Sequence, residues 1–259
     1  MSAQPKLDIV IPVYNEGPQI VQVLEALRQA VETPFRVLIC YDDERDTTLA
    51  ALRAYEPAFE IRLIRNPSAG PHAAIRAGFA ASTAPAVLVF LADDLVNAPI
   101  VDRMVRLLDG GCEMVCPSRF VPGGCMVGCR FTKALLARVS AATLYWIARL
   151  PCHDATNGFR LFSRRVLDTL PIESSLGFTY SVELLVKCHR LGWKIGEVPA
   201  QWFERTRGES RFRVLAWLPA YVRWYGYAFA TTYGFRRTVA RLPEPSDAPA
   251  EPVTAGTPS

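Results

Sequence analysis

VLVFLADDLVN, residues 87–97, is an apolar run of strand type that ends in two adjacent carboxylates. Branched and aromatic side chains fill both parities of the run, and Pro85 and the Asp pair bound it. This pattern describes a strand covered on both faces, as in the centre of a parallel sheet. Ligands of open α/β sheets sit beyond the carboxyl ends of such strands. Asp93 and Asp94 are therefore expected to emerge into a crevice, where two hard oxygen ligands suit Mg or Mn carrying a diphosphate. The same pair reads equally well as a cap for the following helix.

Outward from this strand, the pattern alternates. LDIVIPV at 7–13 is a strand, followed by Tyr14, Asn15, Glu16 and Gly17 as a turn and by a helix over 19–31. A second strand at 35–40 ends in an acidic turn, Tyr41 to Asp46, and a helix over 47–55 leads to a third strand at 61–64. The turn-rich segment NPSAGPHAAIRAG, 66–78, runs into a helix carrying Arg76. Downstream come a helix at 100–108, a short strand at 113–116 and the loop PSRFVPGG at 117–124. An apolar helix at 131–147, the polar segment CHDATNGFR at 152–160 and the LFSRRVLDTL helix follow. A helix at 180–190 carrying Glu183 then leads to strand-like 193–198 and 201–203, and to the charged loop RTRGESR, 205–211. Strands and helices alternating at this pitch build parallel βαβ units.

The composition excludes several classes. With 259 residues, 50% hydrophobic and 21% charged, the chain accommodates one large α/β domain with a short appendage. A net charge of +4, without a basic-aromatic patch, gives no reason to invoke nucleic acid. No G-x-G-x-x-G follows the first strand, which disfavours a dinucleotide-binding dehydrogenase. The seven cysteines lack the spacing of a secreted disulfide framework and point to a reducing, cytoplasmic compartment. Cys112/Cys116 and Cys125/Cys129 form two C-x-x-x-C pairs that raise zinc, although same-face burial in a strand explains the first pair. His72, His153 and His189 read as ordinary polar residues rather than ligands. The amino terminus, broken by Asp8 and Pro12, reads as a first strand rather than a signal peptide.

From Val214 to Phe235 there is a single charge, Arg223, within a stretch of 22 residues. A span would bury that arginine at a cost of about 2.5 to 3.5 kcal/mol. Trp217, Tyr221, Trp224 and Ala228 share one helical face, which suits a helix lying at a membrane interface. Packing on the domain or on a partner copy, as a homo-oligomer, is the alternative. From Glu244 onward the composition is that of a disordered end.

The motifs in their order carry a likeness. IPVYNE at 11–16, the acidic turn, RAGF at 76–79, the Asp pair, SRFVPGG at 118–124, DATNGFR at 154–160, EVP at 197–199 and RTRGESR resemble the family-2 glycosyltransferases of GT-A fold. The similarity is nearest to the dolichyl-phosphate mannose synthase type and covers about residues 6 to 212. It implies a Rossmann-like mixed sheet flanked by helices, over residues 1–212; beyond it, the aromatic pattern reads as an amphipathic membrane-interfacial helix at 213–237 and the composition as a disordered tail at 238–259. The resemblance implies that Pro12, Tyr14, Glu16 and Asp42 surround the base and ribose of a nucleotide-sugar donor, with Arg76 and Asp93 also on the donor side. Asp94 matches the last aspartate of the family's metal-holding D-x-D element, whose first position here is Ala92. Arg119, Arg205, Ser210 and Arg211 would bind phosphate, and Glu183 would either orient the acceptor or sit in a buried structural pair. Asp154 would be the base if the acceptor were a hydroxyl. A polyprenyl phosphate acceptor is already ionised and needs none. These expectations describe an inverting, metal-dependent enzyme, peripheral at the cytosolic face of a membrane, with Asp94, Asp154 and Arg119 at the reacting end. A sugar-nucleotide-binding protein without turnover is the reading from another class.

Overall fold

The computed structural model describes residues 4–129, 131–204 and 214–233. Four strands, β1 (Leu7–Pro12), β2 (Phe35–Tyr41), β3 (Ile61–Arg65) and β4 (Ala86–Val89), alternate with helices α1 (Gln19–Ala30), α2 (Thr47–Arg53) and α3 (Pro71–Ala81). Helix α4 (Val101–Asp109) leads to β5 (Met114–Ser118), a short strand β6 (Cys125–Val127) and helix α5 (Phe131–Trp146). Then come β7 (Arg160–Ser163), α6 (Arg164–Thr169), α7 (Tyr180–Arg190), β8 (Ile195–Pro199), β9 (Gln201–Phe203) and α8 (Val214–Tyr233).

The main sheet has seven strands in the order β3-β2-β1-β4-β7-β5-β8, and a separate parallel pair joins β6 to β9. All neighbours in the main sheet are parallel except around β7, which runs antiparallel to both β4 and β5. The mixed sheet is thus as expected, but its reversed strand comes from sequence that reads as part of a helix. Residues 160–163 instead alternate between the two faces of the sheet. Phe159 and Leu161 join the core on one face of the sheet and Phe162 the core on the other. Ser163 then ends the strand and caps α6, its Oγ accepting from Val166 N.

The central strand behaves as its composition requires. Leu88 and Phe90 pack with α1 and α4 on one face, and Val87 and Val89 pack with α3 and α7 on the other. Helix α3 lies so close to the sheet that a Cβ on Gly78 would stand 2.3 Å from Val10 Cγ1. At the opposite edge from the crevice, buried Asp8 accepts from Arg36 Nε and Nη2, Ser82 Oγ, Thr83 N and Ala84 N, between 2.8 and 3.0 Å. Burial raises its pKa, and the Arg36 pair with the other donors outweighs this, leaving the carboxyl below its ordinary value.

Helix α8 packs on the domain. Trp224 and Ala228 are buried, while Leu218, Val222 and Tyr233 are exposed. Arg190 at the end of α7 donates to Thr231 Oγ1 at 3.0 Å and to Ala228 O at 3.2 Å, and Thr232 Oγ1 donates to Ala148 O at 2.8 Å. Among the described residues no helix is long and apolar enough to cross a membrane. The tail from 238 lies outside the described residues, as do Arg205, Ser210 and Arg211.

Candidate active site

Strand order β2-β1-β4 places three carboxyl ends side by side, and the expected donor-side residues sit there. After Pro12, Tyr14 is exposed and Asn15 takes a left-handed φ of 54°, a conformation asparagine tolerates better than most residues. That turn is fastened to the acidic one. Asn15 N donates to both oxygens of Asp46 at 3.0 Å, and Glu16 N donates to Thr48 Oγ1 at 3.0 Å. Asp46 in turn caps α2 by accepting from Thr48 N at 2.8 Å. Asp42 reaches the other way, accepting from Asn66 Nδ2 at 2.7 Å and from Gly70 N at 2.8 Å. The acidic turn is therefore a junction between the ends of β1, β2 and β3, with Asp42 shaping the loop that opens α3. Arg76 stands exposed on the second turn of α3.

Asp94 is held by the turn that follows β4. Its Oδ1 accepts from Val96 N at 3.0 Å and Asn97 N at 2.9 Å, and its Oδ2 from Asn97 Nδ2 at 2.7 Å. Asn97 also bonds β9, donating to Gln201 O at 2.7 Å and accepting from Gln201 N at 2.9 Å. One asparagine thus aims the carboxylate and anchors it across the fold. The Asp94 carboxylate caps its own turn while standing just beyond the carboxyl end of β4, so capping and a place at the crevice go together here. Burial raises the Asp94 pKa, the Asn97 bonds oppose it, and the charge of Asp93 adds to the rise. A carboxylate whose charge is disfavoured, beside a second one, suits a divalent cation: Mg typically takes one or two carboxylates plus substrate phosphate oxygens. Among the described residues no cluster of three or more His, Cys, Asp or Glu is placed to hold a metal. All seven cysteines are free thiols.

Further along the sheet, at the end of β5, Arg119 and Asp154 form a fork-to-fork pair. Arg119 Nε donates to Asp154 Oδ2 at 2.6 Å, Nη2 to Oδ1 at 2.8 Å, and the Arg119 main-chain N–H to Oδ2 at 3.0 Å. Asp154 is completely buried. Burial lowers the Arg119 pKa and the Asp154 carboxylate more than offsets it, so the guanidinium is held above its ordinary value. Beneath them, buried Arg160 donates to the carbonyls of Asp154, Pro117 and Phe159. Both Asp154 oxygens accept from Arg119, which fixes the direction of the guanidinium.

Arg119 also lines a groove of about 580 Å³, together with Phe120, Arg138, Tyr145, Trp146 and His153. The sequence pattern singles out neither Arg138 nor His153 as a site residue. The one signal for Arg138 is an arginine within a largely apolar helix whose other charged residue is Lys133. Glu183 lies elsewhere. It is buried, accepting from Glu173 N at 2.7 Å, Ser174 N at 2.8 Å and Lys187 Nζ at 2.6 Å, and so holds the loop before α7. It is not among the groove's lining residues.

Comparison with known proteins agrees with this architecture. Polyprenol monophosphomannose synthase of Mycolicibacterium smegmatis is 26% identical over 211 residues, covering 78% of this chain and 79% of the relative. Dolichol-phosphate mannosyltransferase of Pyrococcus furiosus is 24% identical over 215 residues, covering 80% of this chain and 59% of the relative. Among solved structures, glucosyl-3-phosphoglycerate synthase from Mycobacterium tuberculosis, in complex with Mn2+, UDP and phosphoglyceric acid, superposes with a TM-score of 0.62 at 21% identity. That superposition covers 88% of this chain and 78% of the other, and it shows a shared GT-A fold. The sequence model described as glycosyl transferase family 2 matches residues 8–170. With more than half of its length matched, and folded on a mixed sheet of the GT-A kind, the chain belongs to glycosyl transferase family 2.

Proposed function

We propose that this glycosyltransferase moves a sugar, with inversion, from a nucleoside-diphosphate donor to the phosphate of a polyprenyl phosphate at a membrane surface. One observation carries the acceptor assignment. Trp146, 74% exposed, belongs at once to the wall of the groove and to an exposed apolar stripe on α5 that includes Phe131, Leu135 and Val139. Leu218 and Val222 add exposed apolar side chains on α8. A groove with two arginines that opens beside an apolar surface suits a ligand with an anionic head and a long hydrocarbon tail. The similarity to the two lipid-phosphate mannosyltransferases supports the same acceptor class.

Asp94, with Asp93 beside it, would hold a divalent cation on the donor diphosphate. When bound, such a cation neutralises the charge that develops on a departing nucleoside diphosphate. The chain's own residues do the rest. The turns at 14–16 and 42–46 frame the nucleoside, Asn97 keeps Asp94 aimed, and the Asp154-oriented fork of Arg119 and the cation of Arg138 draw in the acceptor phosphate. A phosphate oxygen near neutral pH is ionised and attacks the anomeric carbon in line, needing no base. This agrees with the full engagement of Asp154.

The test is transfer by the full chain from GDP-mannose, UDP-glucose or UDP-N-acetylglucosamine, with and without Mn, to a polyprenyl phosphate in anionic lipid vesicles. Metal-dependent labelling of the lipid by one donor, abolished in Asp94→Ala, is expected. Transfer only to hydroxyl acceptors would overturn the assignment.

A further inference from the structure

His153 is fixed on three sides. Its main-chain N–H donates to Glu197 Oε1 at 2.7 Å, and its Nδ1 lies 2.7 Å from Glu197 Oε2. The imidazole stacks on Tyr145, with 3.7 Å between ring centroids and 24° between planes. The fourth side faces the groove. The histidine lines it, its side chain is 37% exposed, and Nε2 has no hydrogen-bond partner among the described residues. A carboxylate on Nδ1 places a proton there, so the orientation of Nε2 and the tautomer are both set.

Among the described residues, three elements bring charged and titratable groups toward the ring. Helix α5 contributes Arg138 and Tyr145, the end of β5 contributes Arg119 with Asp154 bound behind it, and β8 contributes Glu197. Both carboxylates are already engaged, Asp154 by Arg119 and Glu197 by His153. What remains open toward the groove is cationic or proton-donating.

We infer that His153 is an acceptor-binding residue whose Nε2, presented by Glu197 and Tyr145, hydrogen-bonds an acceptor phosphate oxygen and completes a phosphate-monoester site with Arg119 and Arg138. The inference rests on the lipid-phosphate reading above. The imidazolium form donates a charge-assisted bond to a phosphate dianion. The neutral form offers only a lone pair at Nε2, which faces the phosphate oxygens without a proton to share. Loss of the His153 ring therefore weakens acceptor binding, while donor binding at the turns after β1, β2 and β4 is unaffected.

The experiment uses the full chain, saturating donor with Mn, and a short-chain polyprenyl monophosphate in detergent micelles, at pH 6. His153→Leu is expected to raise the acceptor KM roughly 10- to 100-fold, with an unchanged donor KM. His153→Gln, whose amide N–H stands in for Nε2–H, is expected to recover most of the affinity. Glu197→Gln leaves the imidazole without its anionic partner and gives an intermediate KM. Thermal melting checks that each variant folds, and the Gln variant keeps the test open if the Leu variant does not. An unchanged acceptor KM in folded His153→Leu overturns the inference. So does a turnover rate that falls about 100-fold or more, with KM unchanged and with rescue by free imidazole, because that marks a base acting on a hydroxyl. Absence of any turnover of the phosphate acceptor by wild type defeats the lipid-phosphate reading itself. That result needs no variant, whereas an error in the His153 assignment shows only in the variant-to-wild-type ratios.

Discussion

Replacing Asp154 by asparagine separates two roles for that residue. The aspartate takes two charge-assisted bonds from the Arg119 fork, at 2.6 and 2.8 Å, and one from the Arg119 main-chain N–H at 3.0 Å. In Asp154→Asn the side chain would keep one acceptor oxygen and turn an NH2 group toward the guanidinium, so at least one fork bond is replaced by a donor–donor contact. Losing one partner of a buried ion pair costs about 3–5 kcal/mol. Arg119 retains 13% side-chain exposure and its tip has a route into the groove, which puts the expected loss at the lower end, about 3 kcal/mol. For a chain of this size that corresponds to a fall in Tm of roughly 6–12 °C. In kinetics, Arg119 loses its aim, so the acceptor KM is expected to rise about 10- to 100-fold, with kcat reduced less. Differential scanning fluorimetry and initial rates at varied acceptor concentration measure both. If Asp154 were instead the proton acceptor, turnover would collapse by about 10²–10⁴-fold with little change in KM or Tm. That pattern would refute the positioning role.

Three more outcomes follow from the packing and the charges. Burial, with the Arg76 charge adding and Glu183 opposing, pushes His72 down to about 4, while an unfolded histidine titrates near 6.5. Between those values the unfolded chain binds a proton that the folded one refuses, so stability is complete above pH 6.5 and falls as pH drops toward 4, by about 3 kcal/mol in all; urea midpoints against pH should show a shallower slope in His72→Gln, and equal slopes would contradict the burial argument. Gly78→Ala would gain about 1 kcal/mol from helix propensity alone, but its Cβ would meet Val10 Cγ1 at 2.3 Å and Cys40 Sγ at 2.9 Å. A net loss of about 1–3 kcal/mol is expected, and a rise in Tm would show that α3 does not sit this close to β1. Asp94→Asn retains an acceptor for the Val96 and Asn97 amides, so the ligand-free protein should melt within a few degrees of wild type. The Mn-dependent stabilisation by donor nucleotide should vanish, and its survival would remove Asp94 from the metal site.

The parts legible in the sequence are those that local pattern controls. VLVFL reads as a strand covered on both faces, and the strand-helix alternation before it reads as the parallel units found in the β3-β2-β1-β4 half of the sheet, whose strand order that pattern does not contain. The reversed β7 was not legible as a strand, because RLFS is too short for alternation to stand out and RRVLDT after it is helical. Its strand character comes from the space between β4 and β5, a tertiary decision. Arg119 and Asp154 were each visible within motifs, but that the two are one bonded unit is visible only once β5 and the 152–160 loop meet. Glu183 illustrates the opposite case, since a motif glutamate on a first helical turn holds a loop inward. His153 reads as an ordinary polar residue because adjacent residues of a loop point to opposite sides, and nothing in CHDATNGFR says which of His153 and Asp154 faces open space.

The reversed strand also imposes an order on biosynthesis. The β3-β2-β1-β4 half of the sheet is complete in sequence once β4 ends at Val89, but the strand that covers the outer edge of β4 begins only at Arg160. At about 5–20 residues per second, a nascent chain carries that bare apolar edge for on the order of 10 s before β7 emerges. Only then does β5 gain the neighbour through which it joins the sheet, and only then do Arg119 and Asp154 come into reach of each other. The half that ends at β4 is thus built early and locally, whereas the half that carries Arg119 and Asp154 waits for a long-range closure, the step at which a truncated or slowed chain is most exposed to aggregation.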